Sequence, residues 1–146
     1  MSYSHLALAA LGATVAYFAY GFLVFALAPG LINETRKYPA VFRSHEEINK
    51  VMPMGMAAML VCILVATVLF AMIHPGGTGA AAASAVAGAE FGALIAVFVV
   101  CGFVVHNYVN LQIGANLAVQ QAVAYFVQWL IVGVAIALIY KPAATP

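Results

Sequence analysis

The stretch "AVAGAEFGALIAVFVV", Ala85 to Val100, is apolar along its whole length except at Glu90. Extended to about Ala81 and Val105, it is long enough to cross a bilayer as a helix, which needs ~20 apolar residues. Three similar runs flank it. One spans His5 to Ala28 and is stopped by Pro29-Gly30. One spans Pro53 to Ile73, and the last runs from Leu117 to Tyr140, ended by Lys141-Pro142. Nothing alternates in the manner of transmembrane strands. The expected fold is all-α: one domain over residues 1–146, a bundle of four transmembrane helices with a single charged loop at 29–52.

Composition agrees with that reading. The chain is 66% hydrophobic and 6% charged, against about 25% charged in soluble domains. Seven of the nine Lys, Arg, Asp and Glu side chains lie between Leu31 and Lys50, and the net charge is +1. There is no basic stripe, so nucleic acid is not an expected partner. Cys62 and Cys101 fall in apolar runs without metal or redox spacing, and burial as small hydrophobes is expected. The N-terminal "MSYSHLALAALG" has no Lys or Arg ahead of its apolar run. It reads as a retained first span rather than a secretory signal.

The links carry the turn chemistry. "SHEE", Ser44 to Glu47, matches a capping box and predicts the start of a short surface helix. Pro53 then opens the membrane helix or kinks a longer one. "HPGGTG", His74 to Gly79, predicts a tight turn and an antiparallel hairpin of the second and third spans. Asn116 is the expected N-cap of the last helix, and the tail "KPAATP" is expected to fray. The first and third loops share one side and hold four basic residues, against Lys141 alone on the other. Loop 29–52 is therefore expected to be cytoplasmic, with both termini outside, in a bacterial cytoplasmic membrane.

Within the third span, Ser84, Gly88 and Gly92 repeat every four residues. This small-residue stripe lets another backbone approach, within the bundle or in another subunit. Gly102 and His106 are expected to continue that face after about five turns. Glu90 lies on the opposite face with Val86, Leu94, Val97 and Cys101. A charge deep in a bilayer costs about 2.5–3.5 kcal/mol on insertion scales. A neutral carboxyl avoids most of that, so Glu90 is expected to be protonated, hydrogen-bonded or facing a wet cavity. It lies roughly 12 Å below the outer end of its helix. At a similar depth Thr14, Tyr17, Thr67 and Gln128 are its expected neighbours in a polar layer. Gln121, Tyr125 and Gln128 share one face of the fourth span. The layer serves either to fix helix register or to hold a proton or cation.

Other donor sets are sparse. Met52, Met56 and Met59 share a helical face, where thioethers suit Cu(I) and also fill gaps in cores. His5 and His74 are expected near the outer interface, His45 and His106 near the inner one. A histidine pair can ligate haem, but no i, i+4 pair and no CxxCH motif occurs. His106 with Asn107, Tyr108, Asn110 and Gln112 reads as a solvated loop or as a site for a head group or quinone carbonyl. His106, Met52 and Met56 are thus the weak metal candidates, and no cofactor is expected. No nucleophile–base set is visible, so an enzyme is not expected.

The layout of "YFAYGFLVFALAPGL", "GFVVHNYVNLQIG" and "WLIVGVAIALIY" resembles small uncharacterised bacterial four-helix integral membrane proteins. That resemblance implies a four-helix bundle and transfers no functional residue. The leading expectation is an accessory or assembly subunit that packs on other membrane proteins or on itself. The alternatives are proton-coupled or small-solute transport centred on Glu90, and a haem-, metal- or quinone-binding redox subunit.

Overall fold

Caps and breakers decide where each helix begins and ends in the computed structural model, which describes residues 3–141. The tail from Pro142 onward, expected to fray, lies outside them. Helix α1 (Tyr3–Leu27) stops where Ala28 leaves helical geometry. The first span thus ends just before Pro29-Gly30, as expected, and Pro29 has a second role. It opens a short helix α2 (Pro29–Thr35), in the first turn where a missing N–H costs nothing.

Ser44 caps α3 (His45–Ile73). Its Oγ accepts from the Glu47 backbone N–H, and the Glu47 carboxylate accepts from the Ser44 N–H at 2.9 Å. The box is complete, and of the two outcomes expected at Pro53 the longer helix is found rather than a separate short surface helix. One helix of 29 residues continues through Pro53. Pro53 cannot donate to the Asn49 carbonyl. Residues 52–58 are all exposed, so no packed neighbour is disturbed there.

The turn after α3 contains Gly77 and Gly79 at φ of 79° and 77°, left-handed values that glycine adopts without strain. Helix α4 (Ala81–Val99) then passes through a π-helical segment, Val100–Val105, into α5 (His106–Asn110). Helix α6 is Ala115–Ile139, and its N-cap is Gly114 rather than the expected Asn116. Asn116 lies in the first turn of α6.

Helices α1, α3, α4 with its extension to Asn110, and α6 are each long and apolar enough to cross a membrane. The protein is thus an all-α bundle of the integral membrane kind, with no strand among the described residues. Helix α6 is its hub, packed along α4 on one side and α1 on the other. Ser84, Gly88, Gly92 and Ala96 of α4 are buried. A Cβ at Gly88 would lie 2.6 Å from the Gly133 carbonyl oxygen, and one at Gly92 would lie 2.5 Å from that of Trp129. The stripe therefore seats α4 on α6 inside the bundle. Ala9, Ala10 and Ala13 give α1 a comparable small-residue face.

The π-helical segment corrects the expected continuation of the stripe. Its wider turn shifts the register, so Val104 is buried while Gly102 and His106 are exposed. The hairpin of α3 and α4 is also looser than expected. Phe70 and Phe91 meet edge-on at 5.3 Å near the turn, but α3 otherwise rests mainly on α1. Cys62 and Cys101, expected to be buried, are both exposed on apolar outer faces.

Candidate functional site

The expected polar layer forms in part, without its acid. Gln128, buried on α6, donates from Nε2 to the Tyr17 carbonyl of α1 at 3.0 Å. The Tyr17 ring sits edge-on to Trp129 at 6.1 Å. Thr14 and Thr67 instead donate back along their own helices, to the carbonyls of Ala10 at 2.7 Å and Ile63 at 2.8 Å. Threonine makes this local bond readily, so neither hydroxyl reaches towards an acid.

Glu90 is exposed and has no hydrogen bond or ion pair among the described residues. The reason is geometric. Once Gly88 and Gly92 face α6, a residue two positions from each must face away. Val86, Leu94, Val97 and Cys101 are exposed beside it. Glu90 thus stands alone on an apolar outer face, while of its expected neighbours Tyr17, Thr67 and Gln128 are buried and Thr14 is half-buried.

A cavity of about 760 Å³ lies near the charged loop. It exists because the first half of α3 stands off from the bundle; the first buried residue of α3 is Ile63. Tyr17, Phe18 and Phe22 of α1 line one wall, and Ile48, Met52 and Met56 of α3 another. Helix α6 contributes Gln121, Tyr125 and Gln128, the face read from the sequence as polar. The loop end is lined by Arg36, Phe42, Arg43, Ser44, His45 and Glu47.

Charge is distributed unevenly around that end. Lys37 pairs with Glu34, and Lys50 with Glu46 at 2.9 Å. The Lys37 ammonium holds the Glu34 carboxyl below its ordinary range, and Glu34 in turn raises Lys37. Glu47 lies ahead of the apolar run that begins at Pro53, and hydrogen bonds from Ser44 hold it below its ordinary range as well. Arg36 and Arg43 belong to neither ion pair. Tyr38 fastens the loop to the next one, its hydroxyl accepting from the Gly114 N–H at 2.9 Å.

The weak metal candidates separate. Met52 and Met56 face the cavity, His106 is exposed on α5, and Met59 packs against the core. His74 stacks on Phe70 at 4.5 Å. No three His, Cys, Asp or Glu residues converge as metal ligands among the described residues.

Several partners escaped the sequence reading. Gly133 and Ala137, buried against the stripe, carry the same four-residue small pattern and were legible in principle. The roles of Arg36, Arg43 and Tyr38 depend on how the loop folds, for which no local motif exists. Compared with known protein families, curated proteins and solved structures, the chain finds no match in any of the three.

Proposed function

We propose that this protein is a non-enzymatic accessory subunit that packs on another membrane protein through the outer face of α4. The observation that carries this reading is Glu90, exposed among Val86, Leu94 and Val97. An ionisable group on a lipid-facing surface is costly and calls for a partner. Apart from Lys50 at the polar end of α3, the membrane helices contain no Lys or Arg. Within its apolar spans a second copy therefore offers Glu90 no lysine or arginine, which favours a different protein presenting such a cation. Because the glycine stripe is occupied by α6, the acid face is what remains of α4 for docking.

The test is native extraction into nanodiscs, followed by mass measurement and crosslinking from a photoreactive residue at position 94. The expected result is one defined adduct with a second polypeptide, kept by Glu90→Gln and lost in Glu90→Leu. A monomer with only lipid adducts overturns the reading, and a self-adduct replaces it with a homo-oligomer.

A further inference from the structure

We propose that the cavity between α1, α3 and α6 binds a single-chain amphiphile with an anionic head group, the head held by Arg36 and Arg43 and the chain lying along Phe22, Met52 and Met56. The volume of about 760 Å³ falls within the ~300–1,000 Å³ range of small-ligand sites. Close packing elsewhere makes this space distinctive. Helices α4 and α6 approach until glycine backbones touch, whereas residues 52–58 of α3 meet no neighbour closely enough to be covered. Side chains lining an unfilled gap lose dispersion contacts, and an acyl chain restores them. Methionine suits such a wall because its flexible thioether conforms to variable chains.

The loop end supplies the polarity of the head. Arg36 and Arg43 line the cavity and belong to neither salt bridge of the loop. The one carboxylate on the lining, Glu47, is already engaged by the Ser44 backbone N–H and Oγ. Glu47 offsets part of the Arg43 charge, but two guanidiniums against one carboxylate leave the cavity mouth net positive, and a guanidinium recognises carboxylate and phosphate alike. Along the α6 wall, Gln121 Oε1 is buried with no donor among the described residues. That carboxamide offers an acceptor to a polar atom next to the head.

The experiment measures binding of four probes to the full chain in nanodiscs: oleate, oleoyl lysophosphatidate, oleoyl lysophosphatidylcholine and inorganic phosphate. The two anionic amphiphiles are expected to bind at least ten times more tightly than the zwitterion. Preference between them identifies a fatty acid or a lipid phosphate as the natural source of the anion, and either preference supports the site. Arg36→Gln with Arg43→Gln should weaken anion binding at least tenfold while leaving the helical spectrum intact, since both side chains are exposed. Met56→Trp, at another exposed position, should block both anionic amphiphiles by filling the cavity. Equal binding of the zwitterion, an unaffected double-arginine variant, unimpaired binding in Met56→Trp, or inorganic phosphate matching the amphiphiles each overturns the proposal.

Discussion

At the scale of single residues, two kinds of side chain set the architecture: glycines that admit a backbone and an acid that is turned away. A Cβ at Gly133 would collide with the Gly88 carbonyl oxygen and lie 2.7 Å from Gly92 Cα. All of these are backbone atoms that cannot yield by changing rotamer. Gly133→Ala should therefore push α4 from α6 and destabilise the bundle by about 1–3 kcal/mol, the usual penalty of overpacking. Gly55→Ala meets nothing within 4 Å and should leave stability unchanged or slightly raised. Thermal unfolding in one detergent compares the two, and equal midpoints would disprove the close approach. Glu90 owes its position to the same geometry. The sequence places the acid and the glycines on opposite faces, but it cannot say which face looks inward. That depends on Gly133 and Ala137, more than forty residues downstream in the chain.

At the scale of elements, local chemistry is legible and continuity is not. The Ser44–Glu47 capping box is readable because both partners lie within one helical turn. What α3 does at Pro53 depends on whether anything packs there, which is a tertiary property. The same holds for the π-helical segment, whose residues Val100–Val105 look like any apolar helix. The cap makes a pH prediction. Glu47 is held below its ordinary value of 4.5 by hydrogen bonds from Ser44. A lowered folded value means that its stabilisation is present above about 4.5 and is lost as pH falls through the lowered value. Amide protection factors at the first turn of α3, corrected for intrinsic exchange, should thus fall as the pH drops from neutral through the lowered Glu47 value. Ser44→Ala should weaken the cap by about 1 kcal/mol and flatten that pH response. A response that persists in Ser44→Ala would place its origin elsewhere.

At the scale of the whole molecule, the charged loop and the α5–α6 loop are tied on one side by Tyr38 to Gly114. The turn at His74–Gly79 lies at the opposite ends of α3 and α4. The count of four spans, and with it the sidedness of the loops relative to one another, was legible because apolar run length is a strong signal. The cavity was not, because it is the space left where α3 fails to track its neighbours. By the positive-inside rule, four basic residues in the first loop against Lys141 at the other end predict a cytoplasmic first loop. Single cysteines test this in a background where the exposed Cys62 and Cys101 are replaced by alanine. Asn33→Cys and Gln112→Cys, both at exposed positions, should resist an impermeant maleimide in whole cells and label after lysis. Gly76→Cys, where nothing crowds the added side chain, should label in whole cells. Labelling of positions 33 and 112 from opposite sides would refute the four-span bundle itself. Labelling of both from outside would keep the bundle and reverse its orientation, placing Arg36 and Arg43 at the outer leaflet and moving the source of any anionic amphiphile there with them.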